Sequence, residues 1–168
     1  LAVCKWEGLT LQNSVYSKSP DGKVVKQRFV FQIDEKVPGK DRRFAKHVFF
    51  TLSMNEKSNL RKFVEGWLGR PISAEAKEFD TSFMLNRSCQ LNITHEAGTD
   101  GKVRDVVKGV MPLPKGVPNP PFDVEWYVND DGTKEQDKWV QANADALAWV
   151  ALAHGTPEPV GEDEGIPF

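Results

Sequence analysis

Basic and aromatic side chains recur along several segments of the chain that predict β-strands. Lysine and arginine can follow a line of phosphates, and an exposed aromatic ring can stack on a base, which are the two requirements for holding a single nucleic acid strand without reading its sequence. We take the following residues as candidates for such contacts: Tyr16, Lys26, Arg28, Arg42, Arg43, Lys46, His47, Phe49, Lys102, Arg104 and Lys108.

Several of these side chains, and other residues of the same types, have an alternative structural role. Phe49 shares the outward parity of Arg43 and His47 and either stacks on a base or is covered by a C-terminal helix. For Trp6 we favour burial in the core. The spacing of Trp139 and Trp149 favours packing of a helix, and Trp126 beside Tyr127 could stack or pack. The following cations are expected on the solvated side of a helix: Lys57, Arg61 and Lys62.

Catalytic chemistry has little support in the sequence. His47, His95 and His154 lie far apart without metal-ligand spacing, and no phosphate loop or nucleophile turn is visible. Cys4 and Cys89 fall in separate predicted strands without a CxxC pair, which favours reduced, partly buried thiols. The sequence therefore predicts a binding protein that is not an enzyme and uses no metal or cofactor.

Charge is distributed unevenly along the 168 residues. Residues 1–122 hold 20 Lys and Arg against 13 Asp and Glu, a net charge of +7, whereas residues 123–168 hold 2 against 11, a net charge of −9. A basic body attracts polyanions, and an acidic tail can fold back onto the same surface or recruit other proteins. The longest apolar runs are too short to cross a membrane, and the N-terminus, which begins at Leu1, lacks a signal-peptide layout. We therefore expect a soluble, cytoplasmic protein with no membrane partner.

Alternation of apolar and polar residues predicts five strands, and helical spacing predicts two helices. A capping box at Ser53-Met54-Asn55-Glu56 precedes Leu60, Phe63, Val64 and Trp67, so a helix is expected there. A short helical or irregular stretch is expected over Ile72 to Leu85, and a short extended piece over Val124 to Val128. The five predicted strands are Val3 to Asn13, Lys23 to Asp34, Arg42 to Leu52, Ser88 to Glu96 and Lys102 to Met111. The second helix is predicted over Lys134 to Ala153.

This order of elements is the chain order of the five-stranded OB barrel, in which a helix lies between the third and fourth strands. We therefore predict a mainly β protein with an OB-fold domain over residues 1–122. A helical extension that packs on the barrel is expected over 123–154, and a flexible acidic tail over 155–168. An α+β sheet of four or five strands with another topology is the alternative fold.

The C-terminal residues combine acidic groups with an apolar tip. A terminal aromatic residue can fill a small pocket on a partner protein while its carboxylate pairs with a cation there. The alternative is an acidic terminus that is solvated and binds no partner. The segment resembles the acidic tip of bacterial single-stranded-DNA-binding proteins, with Gly165 in place of their last acid. The resemblance implies that replication or recombination proteins are recruited by these residues: Glu162, Asp163, Glu164, Ile166, Pro167 and Phe168.

A second resemblance covers roughly residues 24 to 117. Four runs resemble small phage replication proteins, including phage single-stranded-DNA-binding proteins with an OB fold: Phe49-Phe50-Thr51-Leu52-Ser53-Met54-Asn55-Glu56-Lys57-Ser58-Asn59-Leu60-Arg61-Lys62, Trp67-Leu68-Gly69-Arg70-Pro71, Asn92-Ile93-Thr94-His95-Glu96 and Pro112-Leu113-Pro114-Lys115-Gly116. The resemblance implies an OB fold and the binding and protection of single-stranded DNA in replication, recombination or repair, within the host cytoplasm. A homo-oligomer or a cooperative array on DNA is compatible with this function. The alternative function is an adaptor whose barrel binds a replication protein and for which DNA contact is incidental.

Overall fold

The computed structural model describes residues 1–75, 79–120 and 132–154, and side chains as far as residue 152. The described chain forms one five-stranded antiparallel sheet and two α-helices, so the mainly β prediction is confirmed. The strands and helices, in chain order, are β1 (Ala2–Asn13), β2 (Lys23–Lys36), β3 (Arg43–Thr51), α1 (Asn59–Leu68), β4 (Ser88–Ala97), β5 (Val103–Pro112) and α2 (Glu135–Trp149).

Except at the start of α1, these bounds agree with the sequence pattern to within a few residues. The irregular stretch after α1 contains a short 3₁₀ helix, Thr81–Met84, and α2 continues into a π-helical turn, Val150–His154. The predicted extended piece from Val124 to Val128 lies outside the described residues. No helix in the described part of the chain has the length and apolarity that a bilayer crossing requires.

The sheet has the order β3-β2-β1-β4-β5, which leaves β3 and β5 at its two edges. Strand β1 pairs with β2 along nearly its whole length but with β4 only at Ala2 and Val3. A shift of register between Cys4 and Trp6 interrupts the β1–β2 ladder where β1 changes neighbours. The sheet therefore turns at the start of β1, since irregularities of this kind bend a strand.

The main core lies between the inner face of the sheet and α1. Phe29 and Phe31 alternate with outward residues along β2, and both rings contact Phe63 of α1 at centroid distances of 6.1 and 6.0 Å. Trp67, also on α1, lies 5.8 Å from Phe31 and is 6% exposed, as the helical spacing predicts. These aromatic contacts bind α1 to the centre of the sheet.

The two cysteines are part of this core. Cys4 and Cys89 are free thiols and are fully buried, more deeply than the sequence suggested. Burial raises the pKa of the Cys4 thiol far above its ordinary value and that of Cys89 to about 12. Both residues therefore act as small apolar groups.

A smaller core forms on the outer face of the sheet, where α2 packs. Trp139 is 3% exposed and contacts Val30, Trp6 and Ala45. The backbone N–H of Leu9 donates to Asn143 Oδ1 of α2 at 2.7 Å. Helix α2 therefore covers part of the outer face of the sheet, where Arg28 lies.

The start of α1 differs from the sequence prediction. The prediction that a capping box at Ser53 to Glu56 starts the helix was wrong, because the helix begins at Asn59 with Ser58 as its N-cap. Ser58 Oγ accepts from the backbone N–H of Arg61 at 3.2 Å and donates to the carbonyl oxygen of Ser53 at 2.7 Å. Ser58 thus caps the helix and fixes the preceding turn at the same time.

Arg61 was expected on the solvated side of α1, and this was also wrong, because it is 3% exposed. Its guanidinium donates to the carbonyl oxygens of Met54, Ile72 and Ser73 and to Glu65 Oε1, at distances from 2.7 to 3.0 Å. Arginine has five N–H donors in a planar arrangement and can therefore satisfy several oxygens at once. It holds together the loops on both sides of α1, whereas Lys57 and Lys62 are exposed as expected.

We predict that Arg61→Met lowers the free energy of unfolding by about 2–4 kcal/mol, because the partly buried hydrogen bonds from the guanidinium to three main-chain carbonyls are lost. Lys62→Met is the matched control on the same helix and should change stability by less than about 0.5 kcal/mol. Urea denaturation of both variants gives the comparison. A loss below about 1 kcal/mol for Arg61→Met would show that the loops do not depend on the guanidinium.

Candidate nucleic-acid interface

A cleft of about 570 Å³ separates the two edge strands of the sheet. Its walls are residues 46–50 of β3 and residues 105–110 of β5, and its floor is the face of α1 formed by Asn59, Lys62, Phe63 and Gly66. We call this space the β3–β5 cleft. Its volume lies within the range of about 300–1,000 Å³ that is typical of ligand sites.

Gly66 allows α1 to approach β5 closely at the bottom of the cleft. A Cβ atom at this position would lie 2.8 Å from the carbonyl oxygen of Val110, which is too short for a real contact. Any larger residue would force the helix and β5 apart. The floor of the cleft therefore depends on a glycine in the middle of a helix, where glycine is otherwise unfavourable.

Three lysines surround the β3–β5 cleft. Lys46 donates from Nζ to the main-chain carbonyl of Asp105, across the cleft. Lys108 Nζ lies 2.7 Å from Glu96 Oε1, and Lys62 is exposed without an ion-pair partner among the described residues. Lys62 was missed as a site residue, because its position opposite an apolar stripe is typical of any surface helix.

A second group of candidate residues lies on the outer face of the sheet, beneath and beside α2. The guanidinium carbon of Arg28 is 5.9 Å from the ring centroid of Trp6, 5.6 Å from that of Phe49 and 5.4 Å from that of Trp139. Cation–π attraction at these distances stabilises a partly desolvated arginine. Arg28 is therefore already engaged by aromatic rings, and Phe49 is half-buried against it.

His47 completes this second group. Its Nδ1 accepts a hydrogen bond from Arg28 Nη2 at 2.8 Å, and its ring meets that of Trp139 edge-on at a centroid distance of 5.2 Å. Burial and the neighbouring charge of Arg28 lower the pKa of His47 to about 4, against a weaker opposing effect of Glu135. The imidazole is therefore neutral at pH 7 and acts as an acceptor.

Gly8 makes room for this arrangement on β1. A Cβ atom there would lie 2.3 Å from the Trp6 ring and 3.0 Å from Asn143 Oδ1. The indole of Trp6 lies over the glycine and contacts Trp139 at a centroid distance of 6.1 Å. A side chain at position 8 would displace Trp6, and α2 could not dock in this position.

The remaining candidates lie at four places, of which only the outer face has already been described. Tyr16 is 73% exposed at the β1–β2 turn, and Lys26 Nζ donates to Thr51 Oγ1 at 2.6 Å on the outer face. Arg43 pairs with Asp34 at 2.8 Å beside the half-buried Arg42. Exposed Lys102 and Arg104 lie near the β4–β5 turn, where Arg104 makes two hydrogen bonds to Asp100 of 2.9 and 2.6 Å.

The structure therefore brings together only part of the predicted set. Lys46, His47, Phe49 and Lys108 line the β3–β5 cleft, and Arg28 adjoins it through His47 and Phe49. Tyr16, Arg42, Arg43, Lys102 and Arg104 do not line it. Of the tryptophans, Trp139 is packed as expected, Trp6 is half-buried, and Trp149 Nε1 donates to Asp21 Oδ2 at 2.7 Å.

The predicted partner-binding residues, Glu162, Asp163, Glu164, Ile166, Pro167 and Phe168, lie outside the described residues, as do Trp126 and Tyr127. Within residues 1–75, 79–120 and 132–154, no group of three His, Cys, Asp or Glu residues is arranged to hold a metal ion.

The fold and the site together define a mainly β protein with a lysine-rimmed cleft between the open edges of its sheet. Comparison of the chain with protein-family models, curated proteins and solved structures finds no match.

We predict that acid weakens the folded state through His47. Its pKa is about 4 in the folded chain and 6.5 for an unperturbed histidine, so the unfolded chain binds the proton more readily between these values, and stability falls as the pH drops from about 6.5 toward 4. His47→Gln should remove this component, whose size is about 2 kcal/mol at pH 4 after allowance for partial solvent screening.

Urea denaturation of the wild-type protein and of His47→Gln at about pH 7, 5.5 and 4.5 measures this effect. The wild-type protein should lose more stability than His47→Gln as the pH falls over this range. Identical curves for His47→Gln and the wild type would contradict a buried, neutral His47.

Proposed function

We propose that this protein binds single-stranded DNA without sequence preference and protects it during phage DNA replication, recombination or repair, in the host cytoplasm. We further propose that its five-stranded sheet is an OB barrel that is open between β3 and β5. The order of strands in the sheet and the position of α1 between β3 and β4 support this assignment.

The observation that carries the proposal is the chemistry of the β3–β5 cleft. Lys46, Lys62 and Lys108 lie around one cavity, and Phe49 borders it from the outer face of β3, where its ring contacts Arg28. Lysines at the rim can follow successive phosphates, while an aromatic ring offers a stacking surface to any base. The site can therefore hold a strand by charge and stacking, neither of which depends on the base sequence.

Lys26 and Arg28 extend this surface across β2. Cross-strand pairing places Lys26 opposite Thr51 and Arg28 opposite Phe49, so the two cations share a face with the proposed stacking residue. The Arg28 guanidinium is desolvated among aromatic rings, which lowers its pKa. We assign Arg28 the task of positioning Phe49, and Lys26 that of contacting phosphate.

Tyr16 and the cations of the β4–β5 turn are proposed as outlying contacts. Val15 and Tyr16 are 92% and 73% exposed at the β1–β2 turn, and the loops of OB barrels contribute to binding of oligonucleotides. Lys102, Arg104, Arg42 and Arg43 would guide the strand toward or away from the cleft. A single-stranded DNA segment that bridges these positions would order the protein turns around it.

The decisive experiment is a fluorescence-anisotropy titration of labelled oligo(dT) and a matched duplex at several salt concentrations. We expect a preference for the single strand, and we expect Lys62→Ala combined with Lys108→Ala to weaken it. Each phosphate contact contributes about 0.7 to the slope of log affinity against log salt for single strands, so the double variant should reduce the slope by about 1.4.

Lys138→Ala serves as the control for net charge, because Lys138 is exposed on α2, away from the β3–β5 cleft, and pairs with Glu135 at 3.2 Å. It should leave both the affinity and the salt slope within error of the wild type. Absence of any preference for the single strand would refute the proposal and favour the adaptor function.

The acidic C-terminal residues are proposed to recruit partner proteins and to compete with DNA for the basic body. The support for this role is the charge difference between the two parts of the chain, +7 for residues 1–122 and −9 for residues 123–168. Opposite charges attract over about a Debye length, so competition should be strongest at low salt.

We predict that removal of residues 162–168 maintains or raises the affinity for oligo(dT) and abolishes recruitment of replication proteins. Replacing Glu162, Asp163 and Glu164 by their amides should raise DNA affinity, whereas Phe168→Ala should affect recruitment alone. Anisotropy at low salt measures the first effect, and quantitative recovery of replication proteins from host extract on immobilised protein measures the second. Recovery that is unchanged after truncation would rule out the recruiting role.

A further inference from the structure

The two edge strands of the sheet face each other across the β3–β5 cleft. In an antiparallel edge strand, alternate residues direct their N–H and C=O groups away from the neighbouring strand. Strand β3 has β2 on one side and the cleft on the other, and β5 has β4 on one side and the cleft on the other. The cleft is thus bordered by two rows of main-chain donors and acceptors.

One of these edge groups already has a side-chain partner from the opposite wall. Lys46 of β3 extends its ammonium to the main-chain carbonyl of Asp105 on β5. Edge carbonyls that lack a strand partner accept from water or from side chains. This contact joins the two edges at one end of the cleft, and residues 47–50 and 106–110 form the walls beyond it.

Apolar side chains of both walls and of α1 meet at the bottom of the cleft. Phe50, Phe63 and Val110 are 5%, 7% and 5% exposed, and Val107 packs against the same core. Apolar side chains on alternate residues of an inserted strand would point toward this floor, since successive residues of a strand face opposite sides. A bound segment would then continue the inner face of the sheet.

The charge of the cleft rim determines which residues are favoured on the outward face of such a segment. Among the described residues that line the cleft, Lys46, Lys62 and Lys108 contribute three positive charges and Asp105 contributes one carboxylate, which lies 2.6 Å from His95 Nδ1. Lys108 is paired with Glu96, but that pair is exposed on both sides and can exchange partners at little cost. The outward positions of the segment should therefore be acidic.

We propose that the β3–β5 cleft binds an extended peptide of a partner protein, with acidic and apolar residues in alternation, as an added strand between β3 and β5. Main-chain hydrogen bonds to both edges would supply affinity, and the lysine rim and apolar floor would supply specificity, as in other cases of strand addition. Strand addition here does not require DNA binding, although the two ligands would compete for the lysines.

The experiment adds increasing amounts of the full chain to a fluorescently labelled peptide, Glu-Val-Asp-Phe-Glu-Val-Asp, in the absence of DNA. Binding is measured by the fluorescence anisotropy of the label. Two control peptides share its side chains or its backbone: one carries N-methyl groups on alternate amides, and the other has Lys in place of each acid. We expect N-methylation to weaken binding about tenfold or more, because it removes two or three main-chain hydrogen bonds.

Charge reversal tests the rim. Lys62→Glu combined with Lys108→Glu should weaken binding of the acidic peptide by about tenfold or more and should improve binding of the lysine peptide, whereas Lys138→Glu should change neither. Recovery of lysine-peptide binding also shows that the double variant is folded. Equal binding of the parent and N-methylated peptides, or no binding of the parent at about 1 mM, would overturn the proposal.

Amide hydrogen exchange of the free protein provides an independent measurement. Edge amides among residues 47–50 and 106–110 should exchange rapidly in the free chain and slow down when the peptide binds. Slow exchange at both edges before peptide is added would show that the chain itself or a second copy already pairs them, and would reject a partner peptide. Because these measurements contain no DNA, a failure here is distinguishable from a failure to bind oligo(dT).

Discussion

The register of strand β2 is the constraint on which the rest of the structure depends. Phe29 and Phe31 enter the core beneath α1, while Val30 enters the smaller core beneath α2, so both faces of this strand are buried. A shift by one residue would exchange the two faces and place Arg28 or Gln32 in the main core. The large rings on one side and the smaller Val30 on the other leave only one register that fills both cores.

The same arrangement leaves the edges of the sheet open. Helix α1 is bound to the centre of the sheet by Phe63 and Trp67, and it approaches β5 through Gly66, so it forms a floor between the edges without closing them. An open edge is an association hazard that proteins limit with lysines and irregularities. Here Lys46, Lys108 and the register shift of β5 near Gly109 discourage uncontrolled pairing of the edges. The two lysines also contribute to the positive rim of the cleft.

Local sequence patterns predicted the elements well and individual contacts poorly. Alternation located all five strands, and the turns at Gly22, Gly39 and Gly101 have the positive φ that only glycine adopts easily. Ser58 was overlooked as N-cap because the earlier Ser53 has an equally good local spacing, and only the hydrogen bond from Arg61 decides between them. The burial of Arg61 could not be predicted, since its partners Ile72 and Ser73 lie in a loop without periodicity.

By itself, the sequence determined the order of strands and helices and the charge difference between residues 1–122 and residues 123–168. These features depend on spacing along the chain, which the sequence contains directly. Only the tertiary structure decided that α2 covers Arg28 and His47, that Lys62 of α1 joins Lys46 and Lys108 around one cleft, and that β3 and β5 remain edges. The physical reason is that these relations join residues far apart in sequence, and they arise from packing both faces of one sheet, which no local pattern encodes.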